Sequence, residues 1–207
     1  MTLHERKRND AKRAIQAVAL DLFEENGFQS VTMEQVAAKA QVGVATVYRY
    51  FGTKEQLVLW DEYDPLIFAA AIDAARGKTL LDSLSKGLVG AVESVYATDA
   101  KRILRRARLM KAEPSLRQTN AVSLAAMRDG FAQALLSSRA CRNAFEAEII
   151  AGAVTSAMET AVRHWEAAHG KKPLGPMLRD AFRRLARLTD KDPRKPGRGS
   201  HGRTPPS

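Results

Sequence analysis

A short segment of the chain, Thr46 to Leu57, concentrates side chains that suit contact with a phosphate backbone. Its sequence is Thr-Val-Tyr-Arg-Tyr-Phe-Gly-Thr-Lys-Glu-Gln-Leu, so two tyrosine hydroxyls on rigid rings lie near an arginine and a lysine. Hydroxyl and cationic groups are the side chains that hydrogen-bond phosphate oxygens. The residues just before, Val44 and Ala45, are small, so a helix N-terminus there can approach base edges, and its free N–H groups favour phosphate. The segment therefore predicts a surface that binds nucleic acid.

Helical periodicity supplies the elements that would hold this segment. Apolar residues recur at helical spacing over 11–23, which predicts a helix of about four turns that Asn26-Gly27 ends. Residues 32–35 and 53–56 match capping boxes, in which a hydroxyl and an amide satisfy free N–H groups of a first helical turn. Short helices are therefore expected on both sides of a turn at 41–43. Such a pair forms a helix-turn-helix unit, whose second helix lies in the major groove of DNA.

The rest of the chain repeats the helical period and shows no alternation of strand type. Further helices are expected over 66–75, 80–96, 99–112, 115–136, 144–169 and 174–188. The predicted fold class is all-α with about nine helices. A three-helix helix-turn-helix domain at the N-terminus is followed by a larger helical domain.

The formal net charge of +10 is unevenly distributed. Residues 1–13 and 190–207 each carry +3, whereas residues 14–60 carry −2. The basic N-terminal arm, Arg6-Lys7-Arg8 with Lys12-Arg13, has two interpretations: contact with the DNA backbone or minor groove, or simple solvation. Residues 190–207 hold four prolines, three glycines and no apolar residue, so a disordered basic tail is expected there.

A second basic run has cations at six positions between 101 and 111: Lys101, Arg102, Arg105, Arg106, Arg108 and Lys111. On a helical wheel its cations cover the side opposite the apolar residues Ile103, Leu104, Ala107 and Met110. This pattern is typical of a solvated face of an amphipathic helix. The alternative is a patch that binds phosphate, either of DNA or of a phosphorylated effector.

Residues 10–57 resemble the TetR family of transcriptional regulators. The resemblance is carried by Leu22-Phe23, Gly27-Phe28, Thr32, Val36-Ala37, Ala40, Tyr48, Phe51, Lys54 and Leu57. It implies a dimer in which the following residues contact DNA: Thr32, Val44, Ala45, Thr46, Tyr48, Tyr50 and Lys54, with Arg49 adding charge beside them. The chain departs from the family pattern at Gln41, where glycine is usual, at Gly43, where serine is usual, and at Val44, where a cation is common. Val44 and Ala45 suit contact with thymine methyl groups.

The resemblance also implies a C-terminal domain that binds an effector. Residues 60–65 and the second basic run are similar, more weakly, to a TetR subgroup with an acyl-CoA-like ligand-binding domain, which implies an apolar pocket with cations at its mouth. The candidate effector-binding residues are Trp60, Phe68, Leu88, Arg105, Met127, Phe131 and Trp165, and each apolar one also fits an ordinary core position. Small residues along 144–169 favour a four-helix dimer contact formed with 174–188, or else close packing within the chain.

Other functional classes find no support in the residue pattern. No metal spacing, phosphate-binding glycine loop or nucleophile elbow is present, so no catalytic residue, metal or cofactor is predicted. The first residues have no apolar core, and the longest strictly apolar run is Leu66 to Ile72, which predicts a cytoplasmic protein without a membrane partner.

The predicted domains are 1–57 for DNA binding, 58–189 for effector binding and dimerisation, and 190–207 as the tail. The sequence predicts a homodimeric repressor that binds a near-palindromic operator in double-stranded DNA. A small hydrophobic or acyl-CoA-like effector would release it. The alternative function is an architectural DNA-binding protein that needs no effector.

Overall fold

The computed structural model describes residues 2–75 and 80–190, and these residues form helices without any strand, which confirms the all-α class. The helices are α1 (Leu3–Asn26), α2 (Met33–Lys39), α3 (Val44–Phe51), α4 (Lys54–Leu59), α5 (Asp64–Ala74), α6 (Leu80–Ala112), α7 (Pro114–Ser137), α8 (Ala144–Ala167) and α9 (Leu174–Asp190). The predicted tail lies outside the described residues, except that α9 ends at Asp190.

Helix α1 is longer than the four turns that periodicity predicted. The Thr2 hydroxyl accepts from the Glu5 N–H and the Glu5 carboxylate accepts from the Thr2 N–H, so a capping box starts the helix at Leu3. The basic N-terminal arm therefore belongs to the first turns of a helix. At the other end Gly27 adopts a φ of 82° and its N–H donates to the Phe23 carbonyl, as the predicted stop requires.

Helices α2 and α3 form the predicted helix-turn-helix. Thr32 and Gln35 make the expected capping box at the start of α2. In the turn, Gln41 takes a left-handed φ of 56°, the conformation for which the family pattern uses glycine. Val47 and Phe51 on the inner face of α3 pack into one apolar cluster with residues of α1, α2 and α4.

Helix α6 is one element of 33 residues, whereas the sequence predicted two helices separated near residue 98. Thr98 and Asp99, which lie at the expected break, are accommodated within the helix. The Thr98 hydroxyl donates to the Val95 carbonyl, and the Asp99 carboxylate accepts from Arg102 one turn later. We call helices α1–α4 the head. A continuous α6 extends from the core of the C-terminal helices to this head.

Two apolar clusters hold the described helices together. One lies among α1–α4 and includes Leu116 of α7, and the other lies among α5–α9 around Leu84, Leu88 and Trp165. The second cluster is built mainly from α6, α8 and α9. Because Leu116 packs with the head, the division of the chain after residue 57 stays a prediction.

Candidate DNA-binding surface and effector cavity

Helix α3 has one buried face and one exposed face. Val47 and Phe51 are 0% and 6% exposed, whereas Val44 and Tyr48 are 39% and 46% exposed although both carry apolar surface. Ala45 and Arg49 are exposed as well, and Thr46 and Tyr50 are half-buried at the edge of this face. An exposed helix face of small and aromatic residues with few charges is suited to entering a groove of DNA.

The polar groups on this face make only weak, adjustable contacts. The Tyr48 hydroxyl lies 3.3 Å from the Glu34 carboxylate, and partial desolvation together with that carboxylate raises the pKa of Tyr48. Tyr48 therefore keeps its proton and remains a hydrogen-bond donor. The Arg49 guanidinium lies 3.3 Å from the Thr46 hydroxyl and 5.4 Å from the centre of the Tyr50 ring. These exposed contacts can be exchanged for phosphate oxygens at little cost.

The N-terminal part of α1 lies beside α3 and extends the exposed face. A groove of about 590 Å³ is lined by His4, Lys7, Arg8, Arg49 and Tyr50. Cationic or protonatable groups thus come from both helices and face the same space. Of the two interpretations of the basic arm, this arrangement favours contact with a polyanion.

Lys54 has a different surrounding from the other predicted DNA contacts. Its ammonium donates to the carbonyls of Phe28, Gln29 and Val31 at 2.9, 3.3 and 3.1 Å and lies over the Phe28 ring. All three N–H bonds are therefore directed at the loop between α1 and α2. In this structure Lys54 holds that loop, and its role as a DNA contact stays a prediction.

A cavity of about 500 Å³ lies between the C-terminal helices. Residues from the α4–α5 connection and from α5 to α9 line it, and most of the wall is apolar, including Ile67, Val92 and Leu124. Phe68 and Met127, both predicted to bind an effector, lie on this wall. Its size and lining match those of small-molecule sites in general.

The other five predicted effector residues lie elsewhere, and the structure gives a reason for each. Trp60 packs edge-on against Phe51 and under the Lys12 ammonium, within the head. Leu88 is fully buried in the C-terminal core, and Trp165 is 2% exposed with its indole N–H donating to the Lys172 carbonyl. Phe131 lines a separate cleft of about 450 Å³ that shares Phe68 and Met127 with the cavity. Arg105 points toward α1.

The inner part of the cavity holds ionisable groups. The Arg106 side chain is 5% exposed and pairs with the Asp61 carboxylate at 2.6 Å. Burial, followed by the nearby Asp61 charge, raises the pKa of Asp64 to about 7. Burial also raises the pKa of Tyr96 on the neighbouring α6. By contrast, Lys111, Arg117 and Arg163 are exposed and form a cationic rim.

Three arginines of the second basic run join α6 to the head and so lie neither on a solvated face nor in a free phosphate patch, whereas Lys101, Arg108 and Lys111 of the run are exposed. We call Arg102, Arg105 and Arg106 the arginine junction. Arg105 donates to Glu24 at 2.7 Å and Asp21 at 2.6 Å on α1. The hydrogen bonds that Arg105 donates to these carboxylates, that to Glu24 first, raise the pKa of Arg105 despite its partial burial.

The other two arginines of the junction reach the end of α4. Arg106 donates to the carbonyls of Val58 at 2.7 Å and Leu59 at 2.9 Å. Arg102 binds Glu62 at 2.8 Å and the Gln16 amide oxygen at 2.5 Å. Gln16 in turn donates to the carbonyls of Leu57 and Trp60, so the unpaired carbonyls at the end of α4 are held from both α1 and α6.

Sequence reasoning missed this junction because its partners are distant in the chain. The available signal was a pair of carboxylates one turn apart on α1, Asp21 and Glu24, which a single arginine such as Arg105 can bind together. The buried Gln16, fully excluded from solvent within an apolar stripe, was a second signal.

Helix α8 presents an outward stripe of apolar and small residues. Phe145 and Ile149 are 76% and 56% exposed, and Gly152 and Ser156 continue the same face at helical spacing. Open space surrounds Gly152, where an added Cβ would meet no atom within 4 Å. An exposed apolar stripe of this kind marks a surface for a partner.

Among residues 2–75 and 80–190, no helix is both long and apolar enough to cross a membrane. Within those ranges no group of three metal-ligating side chains comes together either.

Comparison with known proteins places these features in a family. Residues 15–59 match the family profile of the bacterial regulatory proteins of the tetR family, and residues 78–190, more than half of the chain, match that of the MftR C-terminal domain. An HTH-type transcriptional repressor of Mycobacterium tuberculosis is 41% identical over 51 residues, 25% of this chain and 27% of the repressor. The aligned part thus spans about a quarter of that relative's length.

Solved structures share the fold at low sequence identity. FadR of Bacillus halodurans, a fatty acid degradation regulator, superposes with a TM-score of 0.57 at 17% identity, covering 84% of this chain and 94% of that one. FadR of Thermus thermophilus, a TetR family repressor in complex with lauroyl-CoA, gives 0.50 at 20% identity, covering 84% and 93%. NalD of Pseudomonas aeruginosa, the secondary repressor of a multidrug efflux pump, gives 0.52 at 18% identity, covering 88% and 96%.

These similarities at under 25% identity establish the fold, and the two profile matches establish the relationship over both halves of the molecule. The chain belongs to the TetR family of bacterial regulatory proteins.

Proposed function

We propose that this protein is a homodimeric repressor that binds a near-palindromic operator in the cytoplasm and leaves it when a small effector enters the cavity. The observation that carries the proposal is Arg106. Its side chain lines the cavity and at the same time holds the last carbonyls of α4 beside the DNA-binding head. One residue thus contacts both the cavity and the head that carries the DNA-binding surface, the two parts that a ligand-responsive regulator must couple.

The exposed face of α3 supports the DNA-binding part of the proposal. Val44 and Ala45 would contact base edges, with preference for thymine methyl groups, because neither side chain offers a hydrogen bond. Thr32, Thr46, Tyr48, Tyr50 and Arg49 would contact phosphates, joined by the basic groove residues Lys7 and Arg8. Base contacts then specify the sequence while the surrounding cations supply affinity that depends on salt.

The exposed stripe on α8 supports the dimer. Phe145 and Ile149 would lose their exposure against the same stripe of a second copy, with α9 contributing the adjoining surface. A two-fold axis there would relate two α3 helices. Two recognition helices that read successive major grooves need a separation of about 34–36 Å, one turn of DNA.

The cavity supports an effector that is hydrophobic or acyl-CoA-like. Its apolar wall suits an alkyl chain, and the exposed Lys111, Arg117 and Arg163 at the rim suit an anionic head group. Lauroyl-CoA is the ligand in the complex of the Thermus thermophilus FadR, which has the same fold. Lauroyl-CoA is therefore the first effector to examine with this chain.

Coupling would pass through the arginine junction. An effector that displaces the Arg106–Asp61 pair would also disturb the hydrogen bonds to Val58 and Leu59, and through them the position of α4 relative to α1. A ligand releases DNA only if it binds the DNA-free conformation more tightly than the DNA-bound one. The junction supplies contacts that can differ between the two conformations.

The first experiment selects DNA fragments from a random pool and measures affinity for the enriched sequence and for random DNA. The proposal predicts a ratio of about 10³ or more at physiological salt. An architectural protein would instead bind both with similar affinity. Lauroyl-CoA is then titrated into the specific complex, and release is expected. Retention of DNA at saturating lauroyl-CoA would contradict the acyl-CoA-like effector.

A further inference from the structure

The cavity contains two polar groups that nothing in the surrounding protein satisfies. Asp64, the first residue of α5, has no hydrogen-bond partner among the described residues, and the same holds for the Tyr96 hydroxyl. Both line the cavity. Both side chains are half-buried in the cavity wall, so a ligand that entered the cavity would face two polar groups without a hydrogen-bond partner in the protein.

The charged neighbours do not supply that partner. The Arg106 guanidinium donates to Asp61 and to the carbonyls of Val58 and Leu59, and it makes no hydrogen bond to Asp64 or to Tyr96. Asp61 adds a like charge near Asp64 and raises its pKa further than burial does alone. The carboxylate therefore lies in an environment that disfavours its charge, and a hydrogen-bond donor or a cation there would relieve the cost.

The rim of the cavity, by contrast, carries positively charged side chains. Lys111 is paired with Glu166 at 2.8 Å, and Arg117 donates to the Lys111 carbonyl at 2.6 Å. Arg163 lies beside Glu159 at 4.0 Å. Three exposed cations thus face two carboxylates, which leaves an excess positive charge at the rim. Tyr96 and Lys111 are fifteen residues apart on α6, about 22 Å along the helix axis between their Cα atoms, and the span between their polar groups is shorter because the Tyr96 hydroxyl is close enough to interact with Arg106.

Between these ends the wall is apolar. The lining includes Ile67, Phe68 and Val92, which belong to the same helices as Asp64 and Tyr96. It also includes Met110 and Leu124, from α6 and α7. A ligand that fills this space needs a hydrophobic body. The complete arrangement is an acceptor-rich inner end, an apolar middle and a cationic rim.

We infer that the cavity binds a long amphipathic molecule whose buried end donates a hydrogen bond to Asp64 and Tyr96, and whose other end is an anion at the rim. Hydroxyl and protonated amine share this donor chemistry. A plain saturated chain would press its terminal methyl group against the carboxylate and leave both acceptors unsatisfied. The inference rests on the effector role proposed for the cavity, and it specifies which end of the effector enters first and what that end carries.

Three probes of equal length separate these possibilities. Dodecanoate, 12-hydroxydodecanoate and 12-aminododecanoate share the anion and the alkyl chain and differ only at the far end. Their affinities for the full chain are measured by isothermal titration calorimetry in the absence of DNA. We expect the hydroxy and amino compounds to bind at least ~10-fold more tightly than dodecanoate, since a site built to hydrogen-bond a ligand discriminates against the analogue that lacks the group.

Variants assign the preference to the inner end. Asp64→Leu is expected to reverse the order, so that dodecanoate binds most tightly, and Tyr96→Phe is expected to weaken only the hydroxy and amino compounds. Asp73→Leu is the matched control because Asp73 is an exposed carboxylate on the same helix and does not line this cavity. Circular dichroism melting checks each fold, and removal of the buried charge should leave Asp64→Leu at least as stable as the parent.

The inference is overturned if dodecanoate binds the parent protein as tightly as the other two probes, if none of the three binds, or if Asp64→Leu keeps the parent order. Failure of the proposed regulator function would look different. In that case the probes would still be discriminated by calorimetry, while the affinity for the selected DNA would not respond to any of them.

Discussion

Arg106 Nε donates a hydrogen bond of 2.7 Å to the Val58 carbonyl, which joins the C-terminal part of α6 to the last turn of α4. The two residues are 48 positions apart, and the bond is buried. The same guanidinium contacts the cavity and the Asp61 carboxylate. We therefore expect the stability of the head and the proposed response to a ligand to depend on this one side chain.

Replacing Arg106 tests whether the stability of the head depends on this side chain. Arg106→Met leaves Asp61 without its cation and two carbonyls without their donors, so the free energy of unfolding should fall by about 3 kcal/mol. Chemical denaturation followed by circular dichroism measures the change. Arg108→Met is the control, because Arg108 is exposed on the same helix and its loss should cost less than about 0.5 kcal/mol. Equal stability of the two variants would show that Arg106 does not brace α4.

Two substitutions on α3 separate affinity from sequence preference. Tyr48→Phe removes a hydroxyl that we expect to bind phosphate, so affinity for selected and for random DNA should both fall by about 5-fold. Ala45→Ser changes a side chain that we expect to face base edges, so the preferred sequence should shift at one position of each half-site. Fluorescence anisotropy with both DNAs provides the comparison. If both variants lose equal affinity for both DNAs, these separate roles are wrong.

Lys12 gives the head a measurable dependence on pH. Its side chain is 7% exposed and its ammonium lies 4.4 Å from the Trp60 ring centre and 5.0 Å from that of Phe51. Burial, with a contribution from Arg8, lowers the pKa of Lys12 from 10.5 to about 8. Between about pH 8 and 10.5 the unfolded chain binds more protons than the folded one, so folding becomes more favourable as the pH rises.

The free energy of unfolding is therefore compared for the parent protein and Lys12→Met at pH 7.5 and at pH 10. The parent should gain about 2 kcal/mol relative to the variant over this interval. Lys7→Met, which removes an exposed lysine of the same helix, should show no such change. A constant difference between the parent and Lys12→Met would mean that Lys12 titrates normally.

The proposed dimer surface can be tested at a single exposed residue. Phe145→Asp places a charge on the most exposed apolar residue of the stripe on α8, so sedimentation at micromolar concentration should show a monomer, and affinity for the selected palindrome should fall by more than tenfold. Leu66→Asp is the control, since Leu66 is 59% exposed on α5, away from that stripe. A dimeric Phe145→Asp protein would require another interface.

The helix-turn-helix was predictable because local signals specify it. Capping at Thr32, the stop at Gly27 and the apolar spacing of α1 and α3 act over a few residues, and each is present in the structure. The arginine junction was not predictable in the same way. Arg102 meets Gln16 across 86 positions, and nothing in the periodicity of α6 shows which of its cations face another helix and which face water.

The residues that line the cavity could likewise be predicted only in part from local sequence patterns. Phe68 and Met127 were predicted on its wall, whereas Leu88 and Trp165 have similar chemistry and belong to the solid core. The difference depends on how five helices meet, not on the residues themselves. Asp64 and Tyr96 were missed because a lone acid before Pro65 and a lone tyrosine in a long helix have many ordinary explanations.

The central claim is that effector binding and DNA binding are linked through Arg106. The most direct test is the affinity for the selected DNA, measured by anisotropy with and without saturating effector, in the parent protein and in Arg106→Met under conditions where both are folded. Lauroyl-CoA and the preferred twelve-carbon probe serve as effectors. The account predicts at least a tenfold loss of DNA affinity with effector in the parent and little change in Arg106→Met. An equal loss in both proteins, or none in the parent, would contradict it.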